Sequence, residues 1–257
     1  DDSWERLQAL NGSGKVHALR MEQNGGYGMG NQEGINYAAG YLEADYVIIA
    51  NPDIHVTPRC IGRVKEALDR TRDAVAASAR VKDPQGRELF SYWTLLPLWK
   101  DLLDTGLVTR RLFKAMLNTP SYRLGYGGDE DCRLVDAVPG SFFMLKTGIL
   151  TPGEIKEVFD KRIFLYYEEK VLGQKFRKMG LKTVLVTDES YVHAHSVSID
   201  KSFKRIVDKQ SLLHRSKLYY YKEYLGTGPA GMAAARAVLG LVLAEVWFLT
   251  VVCRMQW

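Results

Sequence analysis

The feature that most limits what this chain can fold into is a short apolar run ending in a carboxylate: Tyr46-Val47-Ile48-Ile49-Ala50, followed at once by Asn51-Pro52-Asp53. A run of this length, rich in β-branched residues and closed by a turn signal, reads as a strand buried on both faces. Its surroundings alternate. Gln32 to Leu42 has a helical pattern. Thr57-Pro58 matches an N-cap with Pro at the first helical position and opens a helix to about Arg72. Ala74 to Val81 is a further strand, and Asp83-Pro84-Gln85-Gly86 a turn. Helix, apolar strand, helix and strand in this order are the alternation of an α/β domain. Open α/β sheets gather ligands outside the carboxyl ends of their strands. Asp53 is therefore placed to hold Mg²⁺ or Mn²⁺ against a diphosphate, although a turn carboxylate after Pro is equally ordinary.

Elsewhere the pattern is less regular. Val16 to Met21 is a short strand, and Asn24 to Asn31 a glycine-rich loop. Residues 90 to 128 are irregular and rich in Leu, Trp and Tyr, as in a lid or acceptor-side insertion. Val135 to Leu145 is a strand interrupted by Pro139-Gly140. Phe159 to Gly180 is a loop followed by an amphipathic helix, and Lys182 to Val186 another strand. From Ala230 to Cys253 the chain is apolar except at Arg236 and Glu245. The uncharged stretch between those two falls short of the roughly 20 residues a span needs, and a mid-span Glu is costly. A helix lying in the membrane interface or packed on a partner is the favoured reading; a span and a buried core helix are the alternatives.

The chain has 257 residues, enough for one large domain with a small appendage. With 35 basic against 30 acidic residues its net charge is +5, which suits anionic partners of any kind. It has no dense Lys/Arg run with interleaved aromatics, so nucleic acid is not expected as a partner. Cys60, Cys132 and Cys253 form no CxxC or zinc spacing and read as reduced thiols. The chain opens on Asp1 with no signal-peptide pattern and reads as starting inside a longer protein.

Several residues have chemistry to offer. Glu168 and Glu169 follow the aromatic run Phe164-Leu165-Tyr166-Tyr167. Adjacent carboxylates behind bulky side chains are candidates for a general base, or one caps the helix while the other is solvated. His193 and His195 flank Ala194. On an extended chain they face opposite sides, so at most one ligates a given ion. Gly26, Gly28 and Gly30 are spaced GxGxG, which is not the GxGxxG of a dinucleotide site. Neither a P-loop nor a GxSxG elbow occurs.

Five stretches together resemble the family 2 glycosyltransferases, in particular their rhamnosyltransferase-like branch. They are Gln23 to Asn31, Asp45 to Asp53, Val138-Pro139-Gly140-Ser141-Phe142-Phe143-Met144, Phe159-Asp160 with Phe164 to Glu169, and His193 to Ser198. The resemblance implies a GT-A fold, a Rossmann-like mixed sheet flanked by helices, over residues 1–200. Residues 201–257 would then form a basic, aromatic and apolar helical appendage. Asp1-Asp2-Ser3 resembles only the end of the family's second strand, so the family's first strand and helix are missing at this end.

The same resemblance implies an inverting, metal-dependent transfer of a sugar, rhamnose among the options, from dTDP-rhamnose or a UDP-hexose. The acceptor would be lipid-linked or a polysaccharide, at the cytoplasmic face of a bacterial membrane. Asp53 and His193, with His195 in reserve, would serve the metal. Glu169, with Glu168 beside it, would be the base. Asp2, Asn24, Gly26, Asn31, Asn51, Gly140 and Ser141 would shape the donor side. The family commonly has Asp where Glu169 stands, and a second Asp where Val171 stands. A non-catalytic relative, a sugar-nucleotide-binding scaffold in a polysaccharide assembly complex, is the alternative.

Overall fold

The apolar run forms β1 (Tyr46–Ala50), but at the edge of its sheet. The computed structural model describes residues 3–10, 15–117, 131–194 and 206–254. Within them a six-stranded mixed sheet runs β1-β5-β3-β6-β2, with β4 also on β6. Its other strands are β2 (Ile54–His55), β3 (Ala74–Lys82), β4 (Cys132–Val135), β5 (Phe142–Lys146) and β6 (Lys182–His193). Only β3 and β6 are parallel; β1 pairs antiparallel with β5. Burial of β1 on both faces is therefore not realised. Val47 and Ile49 are buried, whereas Ile48 is 38% exposed, the alternation of a strand with one solvated face.

Helices cover both faces of the sheet. Ahead of it in the chain come α1 (Ser3–Gln8) and α2 (Gly26–Gly40). On one face α3 (Pro58–Arg70) packs Cys60, Val64, Ala67 and Leu68 against β3, β5 and β6. Its start is as expected: the Thr57 hydroxyl accepts from the Cys60 amide at 3.1 Å, with Pro58 at the first position. On the other face Ile35 of α2 and Leu172 and Phe176 of α8 (Glu168–Lys178) pack against Val47, Ile49, Phe143 and Leu145. This mixed, helix-flanked α/β sheet is the GT-A architecture that the sequence implied.

Local boundaries differ where tertiary pairing overrides the linear pattern. Val16 to Met21 forms no strand. The glycine-rich stretch is not a loop, because α2 already begins at Gly26. Val135 to Leu145 separates into β4 and β5, which pair with different neighbours. Strand β6 continues well past Val186. A register shift between Ala79 and Arg80 of β3 carries the pairing from Val186 to Ser190, and the far end of β6 then pairs with β2, Ile54 opposite His193.

Residues 98–117, expected to be irregular, hold three short helices: α4 (Leu98–Leu103), α5 (Leu107–Leu112) and α6 (Lys114–Leu117). A small helix, α7 (Pro152–Ile155), precedes α8. Beyond the sheet lie α9 (Ile206–Glu223) and α10 (Pro229–Trp247), the latter continued by a π-helical turn over Phe248–Val252. The boundary expected at residue 200 falls outside the described residues. Helices α9 and α10 pack on the body: Tyr220, Tyr221, Met232, Ala235 and Leu239 share a core with Leu102, Ile163, Tyr167 and Val171.

Candidate active site

A cavity of about 530 Å³ opens where β1, the loop before β5, the start of α8 and the end of β6 converge. Asn51, Gly140, Ser141, Glu168, Glu169 and His193 line it, so residues from widely separated motifs meet there. Leu89, Phe90, Trp93, Leu165, Tyr166 and Leu213 make the wall largely apolar.

The Asp53 side of the site is built by strand pairing. With Ile54 opposite His193, the Ala194 amide donates to the Asp53 carbonyl at 2.9 Å. The His193 Nε2 then lies 3.3 Å from Asp53 Oδ1. That oxygen is buried and accepts no hydrogen bond. Among the described residues no group of three or more His, Cys, Asp or Glu side chains gathers as a metal site. The Asp53–His193 pair nevertheless fits a hard dication, which takes one or two protein ligands and completes its shell with water and substrate phosphates. An orphaned buried carboxylate oxygen is the kind of group such an ion satisfies.

The glutamates sit in the first turn of α8. Glu168 is buried, with an Oε1 that has no hydrogen-bond partner. Glu169 is half-buried, and its Oε1 accepts from the Gly140 amide at 3.3 Å. Burial, and then the like charge of Glu169, pushes the Glu168 carboxyl up to about 8. Burial also raises Glu169, against the pull of the Gly140 amide and Lys170. Gly140 has a steric reason to be glycine. A Cβ there would stand 2.9 Å from the Tyr27 hydroxyl and 3.2 Å from Glu169 Oε1. The Tyr27 hydroxyl donates to the Gly140 carbonyl at 2.5 Å, and Ser141 Oγ and the Tyr191 hydroxyl are 2.7 Å apart.

Asn24, Gly26 and Asn31 do not line this cavity. The Asn24 side chain accepts from the Gly26 amide at 3.0 Å, and the Asn31 side chain donates to the Tyr27 carbonyl at 2.9 Å. Gly26 has φ +84, and a Cβ on it would lie 2.0 Å from the Phe164 carbonyl oxygen. The Tyr27 amide donates to that same oxygen at 3.1 Å. These residues dock the start of α2 on the segment leading to the glutamates, and through it deliver Tyr27. Asp160 does comparable work, accepting from the Tyr219 and Tyr224 hydroxyls at 2.7 Å each. Asp2 and His195 lie outside the described residues.

Sequence reasoning passed over Tyr27, although it stands inside the glycine motif. It also passed over Phe90, Trp93 and Lys170, whose place in the cavity depends on long-range packing.

The GT-A sheet thus brings two carboxylates, a histidine and a close-approach glycine to one cavity at its strand ends. The family model described as glycosyl transferase family 2 matches residues 1–125. It is also similar to the N-acetylglucosaminyl-diphospho-decaprenol L-rhamnosyltransferase of Mycobacterium tuberculosis, in strains CDC 1551 / Oshkosh and ATCC 25618 / H37Rv. Each is 28% identical over 160 residues, covering 61% of this chain and 50% of the relative. The chain thus spans about half the length of the curated relatives it matches.

Proposed function

We propose that this chain carries the catalytic site of an inverting glycosyltransferase that moves a sugar from a nucleotide-sugar donor, dTDP-rhamnose or a UDP-hexose, to a lipid-linked or glycan acceptor in bacterial cell-envelope synthesis. The observation that carries this reading is that the Glu168–Glu169 pair and His193 line one cavity, with Asp53 behind it, 3.3 Å from His193 Nε2. Rhamnose is favoured because both relatives are named for rhamnosyl transfer, and a lipid-linked acceptor because their names include a diphospho-decaprenol. The apolar wall of Phe90, Trp93 and Leu165 suits such an acceptor.

In this mechanism Glu169 takes the proton from the acceptor hydroxyl. The hydroxyl oxygen bonds to the anomeric carbon as the bond from that carbon to the donor diphosphate breaks, and the nucleoside diphosphate leaves. Burial supports the role, since a carboxylate of raised proton affinity is a stronger base near neutral pH. Asn51, Gly140 and Ser141 border the donor, while Asn24, Gly26 and Asn31 act by holding Tyr27 in place. Asp53 and His193 would hold Mg²⁺ or Mn²⁺. When bound, that ion supplies positive charge to the departing diphosphate.

The helix and π-turn over Pro229–Val252 are long and apolar enough to cross a membrane by length and composition. We read them as lying on the cytoplasmic face of the membrane. The test is a calorimetric titration with a panel of nucleotide sugars, with and without Mn²⁺, beside Asp53→Ala. One donor is expected to bind in a metal-dependent way, at least about tenfold more weakly in the variant. Absence of binding by any donor to the folded protein would overturn the reading.

A further inference from the structure

Asp101 of α4 belongs to none of the motifs above and is 1% exposed. Its Oδ2 accepts from the Tyr167 hydroxyl at 2.5 Å, the Tyr221 hydroxyl at 2.6 Å and Lys217 Nζ at 3.1 Å. Its Oδ1 accepts from Lys170 Nζ. Lys217 Nζ also reaches the Asp101 carbonyl at 3.3 Å and the Thr105 hydroxyl. One carboxylate thus joins α4, α9 and the first turn of α8. Burial opposes its charge, yet Lys217 and Lys170 hold the carboxyl well below its usual range.

The backbone at the start of α8 explains why such an anchor is needed. Tyr166 and Tyr167 both lie in the left-handed region, at φ 71 and 74. Consecutive non-glycine residues there persist only where their surroundings over-determine them. The turn they form sets where Glu168 and Glu169 enter the cavity, and the Tyr167 carbonyl accepts from the Val171 amide at 2.9 Å to begin the helix. Tyr167 is held through its ring as well. Tyr220 packs edge-on at 5.2 Å, with Lys170 and Lys217 at 4.6 and 5.2 Å from the ring centre.

We propose that Asp101 is a positioning residue for the glutamate pair: by gripping Tyr167 and Lys170 it fixes the left-handed turn and keeps the Lys170 ammonium on its own carboxylate instead of on Glu168 and Glu169. The kinetic consequence rests on the transfer reading above; the structural one does not. The other groups facing the pair are Tyr27 from α2, Tyr191 and His193 from β6, and the Gly140 amide. None of them touches Asp101, so loss of the anchor acts through the turn and Lys170.

The test compares Asp101→Asn and Tyr167→Phe with the wild type, in the full protein. Two readouts are taken: steady-state transfer, and carbon-13 carboxyl NMR titration of the glutamates. A displaced turn is expected to lower kcat by about 10- to 100-fold, while KM for the donor stays within about twofold because Asp53 and Asn51 are untouched. The highest-titrating glutamate should move down by about one pH unit once Lys170 is free to approach it. That titration shift is expected of Asp101→Asn alone, because Tyr167→Phe leaves Lys170 on Asp101; Tyr167→Phe keeps the ring in its core and tests the turn through kcat if Asp101→Asn does not fold. Folded variants with unchanged kcat and unchanged glutamate titration overturn the proposal. If the wild type transfers no sugar, the transfer reading fails, while the NMR titration still judges Asp101.

Discussion

Glu168 and Glu169 receive opposed instructions from their surroundings. The first turn of a helix favours negative charge, whereas burial and mutual proximity favour the proton, and the raised values show that the second effect wins. If Glu169 is the base, Glu169→Gln should lower kcat/KM by about 10² to 10⁴, with a smaller loss for Glu168→Gln. A base must be deprotonated to act, so transfer falls as pH drops through the raised value. The acid limb of kcat/KM against pH should therefore lie above the ordinary 4.5. A limb near 4.5, or equal losses in the two variants, would count against this assignment. At this scale much of the candidate site was legible, but through the family resemblance: residue type and position alone left Asp53, His193 and the glutamates open to ordinary structural roles. Asp101 was not legible, because nothing around an isolated Asp in Leu98–Leu103 signals that two lysines and two tyrosines from distant helices will surround it.

Elements were legible where local chemistry decides them and obscure where pairing does. The Thr57-Pro58 signal placed the start of α3 because cap and proline act within one turn. Strand β6 ran past its expected end because its far end pairs with β3 beyond the register shift and with β2, which is two residues long. The Glu245 that seemed to spoil the apolar tail has a local use. Its carboxylate accepts from the Leu107 and Val108 amides at 3.3 and 3.2 Å, satisfying the first turn of α5. Leu241 of α10, and Phe248 and Val252 of the π-helical turn that continues it, are exposed, Leu241 by 72%. Glu245 therefore ties α5, with exposed Val108, Arg111 and Leu112 and with Lys114 at the start of α6 just beyond it, to α10. Exposed apolar residues beside basic ones suit an anionic bilayer surface. On the membrane reading, sedimentation should show binding to vesicles containing anionic lipid. Arg111→Ala with Lys114→Ala should weaken it by roughly 30-fold, at about 1 kcal/mol per charge. Equal affinity for neutral vesicles, or no effect of the double variant, would sink it.

Over the whole molecule the sheet was legible from apolar runs and turn signals, while the third core, made by α4, α8, α9 and α10, was not. That core joins residues more than a hundred positions apart, and no periodicity within one segment reports on such contacts. It also carries the protein's electrostatic strain, which sets how stability depends on pH. Glu168 titrates near 8 when folded and near 4.5 as an ordinary side chain, so the folded state holds the extra proton between those values. Its contribution is most favourable below 4.5 and is lost as pH rises through 8. Asp101, with a depressed value, contributes the reverse slope, but only under strongly acid conditions. Burial lowers Lys217 to about 8, which adds a stabilising slope only above that pH. From pH 5 to 8 the raised Glu169 and the lowered His214 also contribute, so Glu168 is read from the difference between wild type and a Glu168 variant and not from the slope alone. Replacing it by Gln removes the buried charge, so Glu168→Gln should unfold at least about 3 °C above wild type at pH 8, where 1 kcal/mol moves the midpoint of a domain this size by about 2–4 °C. The gap should shrink steadily towards pH 5 and vanish only below 4.5, where the side chain is neutral in both the folded and unfolded states. Scanning calorimetry at the two pH values decides. A gap equal at both would mean that Glu168 carries no buried charge at pH 8, whereas a gap larger at pH 8, with transfer impaired, would identify the site as one that trades stability for a poised carboxylate.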